Sequence, residues 1–488
     1  MNDEEWPSLL DNLQNKRPDA LAEILYELNT QSAPPPILET LLQLQPIYDC
    51  AKVGEDNANL AIDIVRGCLL DLEPSVHDVK FPELVSKAVK HPNAAMRGIV
   101  LVYVLNQLSL EGSPKRPSNK LILLVLDELQ QKETTSSAEV TEILSIRRHH
   151  WSKESEVLDG LVNLLKQNEV VRCRVYELGV QLARKSPHDL SVVEFILDAA
   201  LAEVSSDDVL LVSSVMEILV QLAEQNHGLS YMERRGVLEI ISKQVENYRD
   251  SPLSNLMLPG IMKFFGKVAA VQPQKVIQGY PDMLSCLFQL LLSEENPMLP
   301  IAMDTLANLL CTLQGKTLMQ SQLQPVLAKV FGAYGEYLQR LPPPLKIRLL
   351  ESLESIFFPH SNPSNELISL LGGWYEIIAG GQQIDHLMKL LNTPFADLQV
   401  TALAFLNKIC EYDWGVKAVQ QTAGAIEFLL SRQQQLDREV KLIKWLVVEK
   451  LSLSAELSPS DIVRFTAYVK EGPDYMPTEV NIATEGSN

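Results

Sequence analysis

The sequence predicts an all-α fold, a HEAT/armadillo-like α-solenoid of stacked helical repeats. The segment Asn168–Ala183 gives the clearest evidence, because its apolar residues recur at i, i+4, i+7 and i+11, one stripe of a helix: Val171, Val175, Leu178 and Leu182. Similar helices return at intervals of about 40–50 residues, the spacing of HEAT and armadillo repeats. No segment shows the two-residue alternation and regular turns of a sheet.

The first part of the chain, residues 1–157, is predicted to form irregular helical repeats. The prolines Pro34–Pro36 precede a predicted helix from Ile37 to Leu44, and another apolar helix is expected from Asn59 to Leu72. The first helix with clear repeat character starts at His91–Asn93. A proline at this start is tolerated because the first N–H groups of a helix have no helical partner.

The central part, residues 158–470, is predicted to hold the regular repeats of one continuous solenoid. Its helices are expected at Val157–Leu165, Asn168–Ala183, Leu190–Leu201, Asp208–Ala223, Ser254–Ala270, Asn296–Leu310, Leu345–Phe357, Asp397–Cys410 and Arg438–Leu451. Aligned positions in the repeat helices are Arg97, Arg172, Leu211, Met257, Leu299, Ile347, Gln399 and Val440. The long first interval leaves room for a degenerate repeat around Val140. Residues 471–488, with two prolines and little periodicity, are expected to form an irregular tail.

The composition limits the possible functions. Hydrophobic residues make up 46% of the chain and aromatic residues only 6%, so aliphatic side chains must do most of the packing. The formal net charge of −20 repels phosphate backbones, which argues against nucleic acid as the main partner. It would suit a basic protein partner, although ordinary solubility is the more usual reason for such a charge. The six cysteines are scattered, which favours reduced core thiols over disulfides or a metal site.

Features of targeting and membrane insertion are weak. The first ten residues are acidic where a signal peptide would be basic. The aliphatic run Leu121–Leu126 is far shorter than the roughly 20 residues that span a bilayer. We therefore expect no membrane partner and a cytoplasmic protein, with the nucleus as an additional location.

The sequence offers no convincing catalytic, cofactor or metal site. Gly315-Lys316-Thr317 resembles the end of a phosphate-binding loop, but that motif requires a glycine where Leu310 stands, and a helix precedes it. We expect instead a glycine that ends one helix before the next begins. Zinc-protease and serine-hydrolase motifs are absent from the sequence. Gly372-Gly373 and Gly380-Gly381 are interpreted as loop hinges around a packed Trp374-Tyr375 turn. The chain is predicted not to be an enzyme.

Two other classes of repeat protein were compared with this pattern. Armadillo import receptors carry repeated W-x-x-x-N pairs that bind a basic peptide, and none of the five tryptophans here is followed by asparagine four residues later. That class is therefore disfavoured. A generic scaffold or adaptor for another complex remains an alternative, because the repeat architecture alone permits it.

Several motifs, in order along the chain, resemble one family. They are VRCRVYEL (Val171–Leu178), Asn226–Gly228 with Tyr231 and Gly236-Val237, LPGIMKFFG (Leu258–Gly266), Tyr280-Pro281, Ala302–Thr305, LKIR (Leu345–Arg348), Pro394-Phe395, and finally Arg464, Tyr468, Glu471–Pro473 and Tyr475. The ordered set is similar to the proteasome non-ATPase regulatory subunit five family, assembly chaperones of the proteasome's regulatory particle. The resemblance covers roughly Val157 to Met476, and the part before it is only generically similar.

The resemblance implies a non-catalytic chaperone for assembly of the base of the 26S proteasome regulatory particle. Its implied partner is the C-terminal small domain of one AAA ATPase, regulatory subunit 7. The implied intermediate also contains regulatory subunit 4 and non-ATPase regulatory subunit 2. Such a chaperone leaves before the mature proteasome forms, and while bound it opposes premature docking on the proteolytic core.

The candidate contact residues lie off the apolar seams of the second helices, which are expected to line the concave side of a solenoid. They are Arg174, Glu177, Lys263, Phe264, Lys267 and Lys346. An aromatic centre surrounded by charges is typical of the energetic core of an interface. Alternatively, Phe264 and Phe265 belong to the core, and Arg172 and Arg348 pair with carboxylates of adjacent repeats. Pro259-Gly260 is a candidate kink.

Overall fold

The computed structural model describes residues 6–14, 19–30, 33–52, 57–71, 85–109, 119–131, 137–146, 153–248, 254–359, 363–432 and 437–475. The described residues form helices and turns, with no strand among them, which confirms the predicted all-α solenoid class. The chain divides into two compact units, residues 1–222 and 223–488. Residues 476–488 of the predicted tail lie outside the described residues.

The helices of the first unit follow one another with short connections. They are α1 (Trp6–Gln14), α2 (Ala20–Thr30), α3 (Pro35–Gln43), α4 (Gln45–Cys50), α5 (Ala58–Asp71), α6 (Ala94–Ser109), α7 (Asn119–Leu126), α8 (Ser137–Ile146), α9 (Ser155–Leu164), α10 (Glu169–Ala183), α11 (Pro187–Val192), α12 (Glu194–Glu203) and α13 (Val209–Ala223). A 3₁₀ turn, Asp127–Gln130, follows α7.

The helices of the second unit are arranged in the same way. They are α14 (Asn226–Arg234), α15 (Val237–Tyr248), α16 (Ser254–Val271), α17 (Pro273–Gly279), α18 (Pro281–Leu291), α19 (Leu299–Leu310), α20 (Leu313–Arg340), α21 (Pro343–Ile356), α22 (Asn365–Ala379), α23 (Asp385–Leu391), α24 (Ala396–Ile409), α25 (Asp413–Gln421), α26 (Ala425–Leu430), α27 (Arg438–Ser452) and α28 (Pro459–Glu471).

One helix of each repeat packs against its counterpart in the next repeat, and we call these the stacking helices. In the first unit the row is α2, α5, α6, α8 and α10, and in the second it is α16, α19, α21, α24 and α27. Helix α8 contains the fully buried Val140 and packs against both α6 and α10, at the position where the degenerate repeat is predicted. Each stacking helix inside a row packs between two neighbours of that row, as expected for a repeat protein.

Several helix predictions are confirmed and others need correction. Helix α10 begins after Asn168, whose Oδ1 accepts a hydrogen bond from the Val171 N–H at 3.1 Å, a side-chain N-cap. The predicted helix Leu190–Leu201 is instead two helices, α11 and α12, because Val193 leaves the helical conformation (φ −102°, ψ 12°). Pro259 lies inside the continuous helix α16. The kink occurs in α20, at Leu323, two residues before Pro325.

The predicted hinge at Gly372-Gly373 is also wrong, because both glycines lie inside α22. A Cβ atom on Gly372 would lie 3.2 Å from Cδ1 of Trp414, so the glycine allows the indole to pack closely against the helix. Gly380 does end the helix, in a left-handed conformation with φ of +59°. Trp374 and Tyr375 are buried, so the predicted aromatic packing is confirmed.

A glycine recurs as the third residue of the helix that follows a long repeat helix. It is Gly228 in α14, Gly315 in α20 and Gly415 in α25. A Cβ atom would lie 1.9 Å from the Leu309 carbonyl oxygen at Gly315, and 2.0 Å from the Ile409 carbonyl oxygen at Gly415. Gly315 therefore begins a helix instead of ending one, and it permits a tight turn. Its neighbour Lys316 is fully buried, and burial lowers the pKa of this lysine to about 8.

Among the described residues, no helix combines the length and the apolar character that a membrane span requires.

Replacing Gly315 with alanine is expected to lower the free energy of unfolding by about 1–3 kcal/mol, because the added methyl group collides with the Leu309 carbonyl. Gly332 in the same helix is the matched control, since a Cβ there meets no atom within 4 Å. G332A should stabilise the protein by about 0.5–1 kcal/mol through helix propensity. Urea unfolding followed by circular dichroism measures both. Equal effects of the two substitutions would contradict the proposed close approach.

His386 gives the second unit a predictable dependence on pH. The side chain is only 4% exposed and packs beside the Tyr375 ring, with centroids 5.9 Å apart. Burial lowers its pKa from 6.5 to about 4. The unfolded chain therefore binds a proton that the folded chain excludes, so stability present above pH 6.5 is lost as the pH falls towards 4.

Between pH 7 and pH 5, wild-type protein is expected to lose about 2 kcal/mol of unfolding free energy through His386. His386→Phe keeps a ring in this aromatic site and removes the titrating group. Urea unfolding of both proteins at the two pH values isolates the contribution. If the wild type and H386F lose the same stability over this range, the histidine is not the cause.

Candidate partner-binding surface

Helix α10 carries two of the predicted contact residues, and the structure gives them different roles. Nη1 of Arg174 donates hydrogen bonds to the Leu129 carbonyl at 2.9 Å and the Gln131 carbonyl at 2.6 Å. These carbonyls belong to the end of the 3₁₀ turn after α7, where helical partners are missing. Arg174 is thus engaged inside the chain. Glu177, one turn away, is exposed to solvent.

In three stacking helices, the side chain of the fourth residue donates hydrogen bonds to backbone carbonyls just before the helix. Arg97 in α6 donates to the His91 and Pro92 carbonyls, at 2.7 and 2.9 Å. Gln399 in α24 donates to the Leu391 and Thr393 carbonyls at 3.0 and 2.7 Å, and Lys346 in α21 donates to the Gln339 carbonyl at 3.0 Å. Arg97 and Gln399 are also aligned repeat positions in the sequence, whereas Lys346 is one residue before the aligned Ile347. Partial burial lowers the pKa of Lys346.

The other predicted residues lie on α16 in the second unit. Phe264 is fully buried and stacks edge-to-face with Phe265 at a centroid distance of 5.8 Å. Its prediction as a contact residue is therefore wrong, because the ring belongs to the core. Lys263 is exposed, whereas Nζ of the half-buried Lys267 lies 2.9 Å from Oε1 of Glu224. Lys263 and Lys267 share one side of α16, one turn apart.

Charged side chains also join neighbouring repeats. Arg172 binds Glu203 at 2.6 Å, and Tyr176 donates to the same carboxylate at 3.0 Å. Arg348 on α21 binds Asp304 on α19 at 2.5 Å. Both arginines therefore pair with carboxylates on other helices, which confirms the internal-pairing alternative. The exposed Arg348 pair adds little stability, since surface ion pairs contribute only about 0–1 kcal/mol.

The last family-like motif closes the end of the second unit. Arg432 donates to the Gly472 carbonyl at 2.7 Å and the Tyr468 carbonyl at 2.9 Å, at the end of α28. Its guanidinium also stacks on the Tyr468 ring, 3.4 Å from the centroid. Gly472 has a φ of +86°, which glycine adopts without strain. These residues of the motif are explained by helix termination.

Among the predicted contact residues, Glu177 in the first unit and Lys263 in the second lie at the exposed surface. Within the described part of the chain, no group of three or more His, Cys, Asp or Glu side chains is placed to hold a metal ion. Sequence reasoning missed the apolar surface of α6, whose sequence AAMRGIVLVYVLNQLS is apolar on nearly every side. This apolar character could have revealed the surface from the sequence, because a helix that is apolar on nearly every side cannot bury all of its faces against neighbouring helices.

Arg174→Ala is expected to reduce the unfolding free energy by about 1–3 kcal/mol, because it leaves two half-buried carbonyls without their charged donor. Glu177→Ala, one turn away on the same helix, should stay within about 0.5 kcal/mol of wild type. Urea unfolding compares the pair, and Arg174→Lys should recover part of the loss. Equal stability of R174A and E177A would show that the carbonyl contacts of Arg174 do not stabilise the fold.

Comparisons with known proteins cover most of the chain. Among solved structures, the chain is similar to Kap121p bound to Nup53p, with a TM-score of 0.49 and 10% sequence identity. The match covers 93% of this chain and 47% of that one. The chain is 46% identical to the 26S proteasome non-ATPase regulatory subunit 5 of Drosophila melanogaster, over 99% of both chains. The Bos taurus protein of the same name is 26% identical over 95% of this chain and 93% of that one. A family model described as proteasome non-ATPase 26S subunit matches residues 2–488, so the chain belongs to that family.

Proposed function

We propose that the protein is a non-catalytic chaperone that assembles the base of the 26S proteasome regulatory particle in the cytoplasm. It grips the C-terminal small domain of the AAA ATPase regulatory subunit 7. Regulatory subunit 4 and non-ATPase regulatory subunit 2 join the same intermediate, and the chaperone leaves before the mature proteasome forms. The alternative is a scaffold that stays with a different complex.

The observation that carries this proposal is the family match over residues 2–488, which supports a proteasome-related role. The exposed charges of the stacking helices support the mode of binding. Glu177 and Lys263 point into solvent from helices whose remaining faces are packed between neighbours. A row of helices of this kind offers an extended surface suited to holding a folded domain. Charge complementarity at such a surface contributes selectivity and association rate.

The proposal is tested by titrating the full-length protein against the isolated C-terminal small domains of all the base ATPases in parallel, using isothermal calorimetry. Tight binding to the domain of regulatory subunit 7 alone is expected. Glu177→Lys and Lys263→Glu should each weaken that binding about tenfold or more, because each reversal places like charges together.

The matched controls are Glu156→Lys on α9 and Lys329→Glu on α20, exposed charges on helices outside the stacking rows. Both control proteins should bind like wild type. Binding to none of the domains would refute the chaperone assignment. Loss of binding in the controls with retention in E177K and K263E would place the partner on the other helices.

A further inference from the structure

A groove in the first unit crosses the exposed side of α5, α6 and α8. It has a volume of about 450 Å³. Its apolar lining is formed by Leu69, Leu70, Ile99, Val102 and Tyr103. Leu70 is 68% exposed and Val102 is 42% exposed, so two large apolar side chains face solvent side by side on neighbouring stacking helices. Adjacent exposed apolar side chains on a soluble protein are characteristic of interaction sites.

The floor of the groove allows a partner to come close to the backbone. Ala95 and Gly98, on the exposed side of α6, also line it. Small side chains between larger apolar ones leave a channel along the helix in which a partner's apolar side chains can insert. Two packed helices with such a channel form the type of groove that accepts a third, amphipathic helix.

One carboxylate gives the groove a charge preference. Glu139 of α8 lines the groove, and its Oε2 atom is buried without a hydrogen-bond partner. The arginine of the lining, Arg66, is already bound to Asp63 at 2.5 Å. The negative charge is shared by both oxygens of this half-buried carboxylate, so a cation that a ligand brings to the groove wall would stabilise a charge that the buried oxygen leaves without a donor.

We propose that this groove is the docking site for an amphipathic helix of a protein partner that carries a lysine or arginine beside its apolar stripe. The apolar side chains of that helix pack on Leu70, Ile99 and Val102, and its cation binds Glu139. An extended peptide fits less well, because Asn106 is the one amide side chain in the described lining to hold its backbone. A second copy of this chain is disfavoured because both copies carry a net charge of −20.

The site is independent of the assignment to regulatory subunit 7, since it lies on α5, α6 and α8 and uses none of the residues tested there. It is probed with three labelled amphipathic peptides of about 18 residues, long enough for five helical turns. The peptides share one leucine stripe, and the flanking positions are lysine, glutamine or glutamate. Fluorescence anisotropy with the full-length protein measures their affinities.

The lysine peptide is expected to bind at least tenfold more tightly than the glutamate peptide. Val102→Glu and Leu70→Glu should each reduce the affinity of the uncharged glutamine peptide about tenfold or more, by placing a charge in the apolar channel. Glu139→Gln should weaken the lysine peptide severalfold while leaving the glutamine peptide unchanged. That difference is specific to a carboxylate–cation contact and would not follow from a general loss of structure.

The matched control is Val463→Glu on α28 of the second unit, where the valine is 69% exposed. V463E should bind all three peptides like wild type. Equal binding of the lysine and glutamate peptides, or an equal loss in V463E and V102E, would overturn the proposal. So would light scattering that shows a dimer of the wild type which Leu70→Glu dissociates, because the occupant would then be a second copy.

Discussion

Helix ends impose the constraint on which the rest of this structure depends. The last carbonyls of a helix have no helical donor, and a repeat protein buries such an end at every turn. Here the following stacking helix supplies the donor, from Arg97, Lys346 or Gln399 at its fourth residue. Arg97 is 1% exposed and is balanced by the equally buried Glu128, at 2.6 Å. These bonds fix the start of each of these stacking helices against the end of the helix that precedes it, and leaving the buried His91 carbonyl unpaired would cost about 1–3 kcal/mol.

This constraint determines which charges are available to a partner. Arg174 and Lys346 resemble binding residues in the sequence, yet each donates to backbone carbonyls of its own chain. Lys267 pairs with Glu224. Most of the basic side chains that the sequence offers as contact residues therefore make contacts within the protein itself. The surface features that we propose for recognition are the exposed Glu177 and Lys263 and the apolar groove of the first unit.

The helices were predictable because a 3.6-residue apolar period is strong in long helices, so α10, α16 and α27 appear within one or two residues of their predicted bounds. The break at Val193 and the kink at Leu323 were not predictable, since they depend on packing between helices.

Phe264 shows that periodicity is also insufficient to predict which residues form the candidate site. Helix α16 is apolar around most of its circumference, so the sequence leaves open whether Phe264 faces the core or the surface. The groove is lined by residues from three repeats. Helical periodicity describes each repeat separately, so it does not predict which residues of different repeats lie side by side.

Within the first unit, the groove and Glu177 lie on consecutive members of one row, since α8 packs against both α6 and α10. The two features contribute differently to binding. Burial of Leu70 and Val102 favours association through the hydrophobic effect, which does not distinguish one apolar helix from another. Glu139 and Glu177 supply the distinction, because both favour a basic partner and oppose an acidic one. A net charge of −20 acts over a longer range and raises the association rate of such a partner. The stacking helices of this unit therefore favour a partner that is apolar on one stripe and basic beside it.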